Sequence, residues 1–294
     1  MSSPATELVA VVTGGNGFLG QHIIQALMKH CAEIREIKVF DKMIYKDKLE
    51  PFKQRMMNSC ITKSHQCVSR GDPRILSVVG DITDYESVSE ACRGADVVFH
   101  VLSLVDASLI PDRDALERIN VDGTLNVVNA CLEHNVRQLI YTSTVDVVIG
   151  YEDIINGTET NTRYPDEFLY DSYAETKAHA EKIVLDANGK GRLNQLKTLS
   201  LRPPVIYGEA DTHFITQMLH SAKSFGGTLI PFGDGKTKWQ QAYVGNVAWA
   251  HICAYRAVKN EYERESHSGI LESSMTSPEI VSGTSEYPDI LRGR

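Results

Sequence analysis

The chain of 294 residues has no apolar run approaching the ~20 residues a membrane-spanning helix needs. Its amino terminus, MSSPATELVAVV, carries no basic segment ahead of a short, strand-like apolar stretch, so no secretory signal is read there. Six cysteines (Cys31, Cys60, Cys67, Cys92, Cys131, Cys253) form no CxxC and no Cys/His pairing at metal-ligand spacing. A metal centre is therefore not expected, and free structural thiols in a reducing compartment are. Basic excess is also missing: 30 Lys and Arg stand against 38 Asp and Glu, a formal net charge of −8, which argues against a nucleic-acid partner. No internal repeat is present. What remains is ordinary soluble composition, 42% hydrophobic and 23% charged, on a length able to bury about three quarters of its unfolded surface.

Along the chain, apolar β-branched runs alternate with helical-period segments, the pattern of a parallel sheet with crossover helices. Strands are expected at 8–13, 37–40, 75–79, 97–101, 138–142 and 198–201, nearly uninterrupted in apolar character as in a sheet covered on both faces. Helices are expected at 18–30, 85–92, 114–134 and 172–186, the last with Ser172 as N-cap and Glu175 at the capping-box position. Residues 42–74 interrupt the rhythm with eight Lys/Arg against three Asp/Glu. A basic insertion of this kind can touch an acidic membrane surface, but a solvated excursion is the simpler account. Beyond Arg202 the alternation becomes irregular, with turn signals at Pro203, Gly226 and Gly233, and a smaller substrate region is expected over 203–260. Residues 261–294, rich in Ser, Glu, Thr and Gly, are expected to be disordered.

The stretch TGGNGFLG places Gly14, Gly17 and Gly20 directly after a strand and at the start of a helix. The first glycine allows a tight turn, the second lets backbone N–H groups approach a pyrophosphate, and the third allows close helix–strand packing. The next strand ends at Asp41, 21 residues after Gly20, where a carboxylate can accept both hydroxyls of an adenosine ribose and repel a 2′-phosphate. That favours NAD, although Lys42 beside it leaves room for NADP. Asp81 and Ile82, after the third strand, can meet an adenine ring, or Asp81 can cap the helix that follows. His100, ending the fourth strand, is expected to be packed rather than catalytic. Tyr173 and Lys177 stand one helical turn apart, on one face, where an ammonium favours the phenolate; bringing a phenol from ~10 to ~7 takes roughly 4 kcal/mol. The spacing recurs in Tyr255 and Lys259, which lack a preceding hydroxyl-rich strand end and are expected on an amphipathic helix surface. Upstream of Tyr173, Ser143 and Thr144 close the fifth strand, where a hydroxyl can bind a substrate oxygen and share a proton path with the tyrosine. Together these parts point to hydride transfer.

With TGGNGFLG, YAETK, the Ser/Thr strand end, Asn120 in NVDGT, and Arg202–Pro203 with Ile206, Tyr207, Gly208 and Glu209, the chain resembles the extended short-chain dehydrogenase/reductase superfamily. AEKIVLDANG (180–189), LRPPVIYGEAD (201–211) and above all YVGNVAWAHICA (243–254) narrow the resemblance to the 3β-hydroxysteroid dehydrogenase/Δ5-Δ4 isomerase family, over about residues 8–258. The resemblance implies an α/β, Rossmann-type doubly wound parallel sheet over 1–202, with a smaller, incomplete C-terminal substrate region. It implies Tyr173 as general base, Lys177 as its partner and as a holder of the nicotinamide ribose, and Thr144 as the catalytic hydroxyl with Ser143 as its substitute. Gly14, Gly17, Phe18, Leu19 and Gly20 would hold the pyrophosphate, Asp41 the ribose, and Asp81 and Ile82 the adenine. The backbone at Pro203–Val205 would approach the nicotinamide amide, and Asn120 would position its helix within a proton relay. Thr144 stands where serine is commoner, Ala107–Ser108 where an aromatic is frequent, and a polar tail stands where the family continues.

The expected activity is oxidation of a steroid or sterol 3β-hydroxyl by NAD. Where isomerisation is retained, Asp106 and Asp146 are the candidate acids. A sterol-4-carboxylate decarboxylating dehydrogenase, a sugar-nucleotide epimerase and a non-catalytic NAD-binding isoform are the alternatives. The expected location is the cytoplasmic side, peripheral at the endoplasmic reticulum membrane, with a homodimer left open.

Overall fold

The structure, a computed structural model, describes residues 7–50, 52, 72–106, 108, 110–192, 195–229, 233–236 and 238–267. Strands β1 (Leu8–Thr13), β2 (Ile34–Asp41), β3 (Ile75–Val79), β4 (Val97–His100), β5 (Gln138–Thr142) and β6 (Lys197–Leu201) form a parallel sheet in the order β3-β2-β1-β4-β5-β6. The strand order reverses between β1 and β4, which opens a crevice at their carboxyl ends. β2 begins earlier than the apolar run indicates, because Arg35 and Glu36 break the pattern while the backbone already pairs with β1.

Alternation along each strand divides the core in two. Val11, Val98, Leu139 and Tyr141 face one layer, made by α2 (Tyr85–Cys92), α4 (Gly123–Glu133) and α5 (Asp171–Asp186). Ala10, Val12, Val97, Phe99 and Ile140 face the other, made by α1 (Phe18–His30) and α7 (Val244–His267). Ahead of α4 runs the short α3 (Arg113–Leu116), joined to it by a π-helical turn, Glu117–Asp122, inside what the sequence reads as one helix. A second, two-stranded parallel sheet pairs β7 (Val205–Tyr207) with β8 (Gln241–Tyr243), and α6 (Ile215–Ser224) lies between them in sequence with none of its side chains buried.

The last helix departs from the expected domain division. Val244, Val247, Ala248, His251, Ile252, Tyr255 and Val258 are buried at helical spacing, so α7 completes the cover of the six-stranded sheet instead of belonging to a separate region. It also runs to His267, past residue 261. Tyr255 of the second Tyr/Lys pair is fully buried rather than on a surface; its hydroxyl donates to Glu33 Oε1 at 3.1 Å, and Lys259 Nζ reaches the same oxygen at 3.4 Å. Ser172 is not a cap: α5 starts at Asp171, and the Ser172 hydroxyl instead accepts from Arg113 Nε at 2.7 Å. Of the basic excursion, residues 42–50 fold back on the glycine loop, where Asn16 Nδ2 donates to Met43 O (2.7 Å) and Gln21 Nε2 to Lys46 O (2.7 Å). Most of the remainder, with Cys60 and Cys67, and residues 268–294 lie outside the described residues. Among the described residues no helix is long and apolar enough to cross a membrane.

Ile252→Ala, which empties a fully buried position under α7, is expected to cost about 2–4 kcal/mol of stability in urea denaturation. A loss below about 1 kcal/mol would show that α7 is not part of the cooperative core.

Candidate active site

The crevice begins at the glycine loop. Gly14 has φ +69°, and a Cβ there would stand 2.9 Å from Leu102 Cα; a Cβ on Gly20 would stand 2.3 Å from Gly14 O. Both positions therefore require glycine, and the turn they form brings α1 in with Gly17 at its N-cap and no side chain capping it. The orphan N–H groups of the first turn, at Phe18, Leu19 and Gly20, are left for an anion. Asp41, at the end of β2, accepts from Asn16 N (3.0 Å) and Met43 N (3.4 Å), which fixes its carboxylate at the loop's edge. Lys42 turns to Asp81, Nζ to Oδ2 3.1 Å, so its charge is directed across β3. These residues fit a dinucleotide: an uncapped helix end for the phosphates and an anchored carboxylate for a ribose diol.

Asp81 is not the cap of the helix that follows, which has Asp84 at that position. Asp81 Oδ1 accepts from the Thr83 backbone N–H at 3.0 Å, which with Lys42 holds the carboxyl below its ordinary value, and the side chain remains half-exposed at the crevice rim. Ile82 departs from expectation. It is 1% exposed and packed where a Cβ on Gly123 would meet it at 2.9 Å, so its side chain belongs to the core and is withheld from a ligand. His100 is structural. Thr124 Oγ1 gives its proton to Asn120 O, so His100 Nε2 donates to Thr124 Oγ1 (2.9 Å) and Nδ1 accepts from Thr13 Oγ1 (2.8 Å). Burial pushes its pKa to about 3, which keeps the ring neutral while it ties β1, β4 and α4 together.

At the end of β5 the side chains alternate. Thr142 donates to His251 Nε2 (2.8 Å), whose Nδ1 donates to Val247 O, so the histidine of the AWAH segment ties α7 to the edge of the site. Ser143 Oγ is buried, makes no hydrogen bond of standard geometry, and lies beside the Glu181 carboxylate, whose charge it helps stabilise. Thr144 caps the 3-10 turn Val145–Val148, accepting from Asp146 N (3.2 Å) and donating to Asp146 Oδ2 (2.9 Å). Of the two candidate hydroxyls, Thr144 thus sits with Asp146, and Ser143 sits with Glu181. Asn120, on the π turn, accepts from Leu104 N (2.7 Å) and donates to Leu104 O (3.0 Å) and Thr176 Oγ1 (3.2 Å). It locks the segment after β4 to α5. Pro203 O accepts from Val145 N (3.1 Å), and Val205 opens β7, so both stand near the carboxyl edge of β5 and β6.

Tyr173 and Lys177 share one face of α5, yet the phenol stands above its ordinary pKa, not below. Burial is the main cause, and the Asp146 carboxylate adds to it, against a smaller opposing effect of Ser103. Lys177 does not cancel this because its ammonium is engaged elsewhere: Nζ donates to Thr142 O at 2.7 Å and lies 4.3 Å from the centre of the Tyr141 ring. Burial of Lys177 (2% exposed) draws its own pKa down to about 7, with Glu181 opposing. Asp146 is raised by burial and partly offset by Thr144. Asp106, in contrast, staples an exposed loop by accepting from Ser108 N (3.0 Å) and Asp112 N (3.1 Å), bonds that hold it ionised. Of the two candidate acids, Asp146 is the one whose carboxyl is raised.

Residues 11–271 match the model of the 3-beta hydroxysteroid dehydrogenase/isomerase family. The chain is 33% identical over 265 residues to mouse 3 beta-hydroxysteroid dehydrogenase type 7, covering 88% of this chain and 66% of that one. It is 35% identical over 263 residues to Arabidopsis thaliana 3beta-hydroxysteroid-dehydrogenase/decarboxylase isoform 2, covering 87% and 43%. With the Candida albicans decarboxylating sterol-4-alpha-carboxylate 3-dehydrogenase the identity is 33% over 262 residues, covering 88% and 67%. The chain thus spans about two thirds of the mouse relative and under half of the plant one. Among solved structures, the UDP-N-acetylglucosamine 4-epimerase of Methanobrevibacter ruminantium superposes with a TM-score of 0.64 at 22% identity over 84% of this chain and 72% of that one. The dTDP-glucose 4,6-dehydratase DesIV of Streptomyces venezuelae, with NAD bound, does so at 0.63 and 22% over 81% and 69%. The two share the fold.

Asp146→Asn removes the anion beside Tyr173 and is expected to lower the phenol's titration midpoint. The check is the tyrosinate absorbance difference between this variant and its Tyr173→Phe counterpart; a midpoint that stays or rises contradicts the stated cause.

Proposed function

The chain belongs to the 3-beta hydroxysteroid dehydrogenase/isomerase family, and from that premise we propose that it oxidises the 3β-hydroxyl of a steroid or sterol with NAD. The observation that carries this reading is the meeting of Tyr173, Lys177 and Thr144 at the carboxyl end of β5, beside an uncapped helix end and an anchored Asp41. NAD, when bound, supplies a nicotinamide ring able to accept a hydride from the carbinol carbon. Gly14, Gly17, Phe18, Leu19 and Gly20 would hold its pyrophosphate, Asp41 its adenosine ribose and Asp81 the adenine edge. Lys177 would take the second ribose, and the backbone at Pro203 and Val205 would meet the amide.

Tyr173 accepts the proton of the substrate hydroxyl. In the ligand-free protein its phenol is held neutral, so the base forms only in a complex that brings added positive charge to the crevice. Thr144 orients the substrate oxygen by donating to it, which requires its proton to turn away from Asp146 Oδ2. Asn120 keeps the segment through Leu104 in register with α5 and so fixes the wall beside Tyr173.

A second reading has its own support. Oxidation of a 4-carboxysterol at C3 gives a β-keto acid, which loses carbon dioxide and leaves an enol that must take a proton at C4. Δ5-Δ4 isomerisation likewise needs a carboxylic acid near the ring. Asp146, raised by burial beside Thr144, suits either demand, and two of the relatives are named as decarboxylating enzymes.

Purified protein with NAD, offered 3β-hydroxysteroids and 4-carboxysterols in parallel, distinguishes these readings through reduced-cofactor absorbance and released carbon dioxide. Tyr173→Phe is expected to bind NAD within about threefold of the parent while kcat falls by about a hundred- to ten-thousand-fold. Undiminished turnover would falsify the assignment of the base.

A further inference from the structure

Lys177 is followed one helical turn later by a carboxylate that the reaction as described does not use. Glu181 is fully buried, and its two oxygens are crowded by donors from three elements. Arg202, just past β6, reaches it with NH2 at 2.5 Å and with Nε at 3.0 and 3.1 Å. Tyr164 donates at 2.6 Å and Ser200 at 2.8 Å, while Ser143 stands alongside. Burial alone would raise this carboxyl, but those hydrogen bonds overcome it and leave the group below its ordinary value, so it is an anion. A buried ion pair of this kind is weak ground for stability, since apolar residues of similar volume commonly serve as well. Its position calls for another account.

We propose that Glu181, backed by Arg202, is a positioning residue that favours the charged form of Lys177 and aims it at the end of β5, and through it sustains the ammonium–phenolate pair with Tyr173. The inference rests on the roles given above to Tyr173 and Lys177. Among the described residues, the groups that meet Lys177 from β5 are a dipole and a ring, the Thr142 carbonyl and Tyr141, with the neutral His100 beyond that ring on β4 and the neutral Tyr173 one turn back on α5. Asp146 faces Tyr173 from the 3-10 turn, where its charge opposes the phenolate. Glu181 is thus the anion that acts on the lysine, and i, i+4 spacing on α5 places it one turn behind. Arg202, Tyr164 and Ser200 hold the carboxylate, and its charge acts on Lys177 in the direction that favours the ammonium.

The test titrates Tyr173 in the NAD-loaded protein, as the tyrosinate absorbance difference against a Tyr173→Phe background, in parent and Glu181→Gln. The direct effect of removing an anion is to ease phenol ionisation and lower the midpoint. Loss of the lysine's charge acts the opposite way, and the inference expects the midpoint to rise by about one pH unit. NAD affinity and thermal midpoint are measured alongside. A lower thermal midpoint with an unmoved or lowered phenol midpoint means a purely structural role and overturns the inference. Glu181→Asp, which keeps the charge, is expected to restore the phenol midpoint even where stability stays reduced; failure to restore it also overturns the inference. Should Glu181→Gln not fold, the double variant Glu181→Leu with Arg202→Met leaves no orphaned buried charge, and the same upward shift is expected, its absence counting against the inference. A Tyr173→Phe enzyme that still turns over removes the reading on which this rests. An inactive Tyr173→Phe enzyme with an unmoved Glu181→Gln midpoint removes this inference alone.

Discussion

Lys177 is an ammonium taken almost wholly out of water, and such a group loses its proton or unfolds its surroundings unless the protein replaces its hydration. The replacement comes from the carboxyl end of β5: a carbonyl, an aromatic face and, one turn along α5, a carboxylate. Each of these is itself held. Thr142, which offers the carbonyl, is tied through its hydroxyl to His251 of α7; Tyr141 lies against His100; Glu181 is gripped by Arg202, Tyr164 and Ser200. The edge of the site is therefore continuous with the helices that cover both faces of the sheet.

This arrangement explains the protonation of the Tyr173/Lys177 pair in the free protein. A neutral phenol and a lysine near neutrality are what burial dictates when nothing else is present, and the Asp146 carboxylate reinforces it. Under the proposed reaction, a phenol held in this way becomes a base only when a ligand brings positive charge to the crevice. The glycine loop supports the same economy: α1 begins without a side-chain cap, so the first-turn donors that would stabilise the helix are kept for a ligand.

Much of the fold was legible in the sequence because strands buried on both faces read as continuous apolar runs. The glycine loop and Asp41 were legible because their spacing is set by covalent geometry: strand, turn, helix, strand. The hydroxyl-rich strand end upstream distinguishes Tyr173/Lys177 from Tyr255/Lys259 in the sequence, and in the structure Lys177 bonds to the end of β5 while Tyr255 is buried in the core under α7. Elsewhere local pattern misled. Ser172 has the composition of a cap, but Arg113 claims its hydroxyl from another helix. Ile82 follows Asp81 as an adenine contact would, but the closeness of Gly123 buries it. Glu181 and His251 lay inside segments that read only as family markers, since no local signal announces a partner 21 or 109 residues away.

The strands, the helices between them and the glycine turn at the end of β1 follow from the sequence, because hydrophobic period and glycine placement act over a few residues at a time; the order of the strands came with the sheet. Protonation states, the division of labour between Ser143 and Thr144, and the inclusion of α7 in the sheet's core were decided by the tertiary structure. Those depend on how much water is removed from a group and which distant dipoles replace it, and neither quantity exists until the layers have closed.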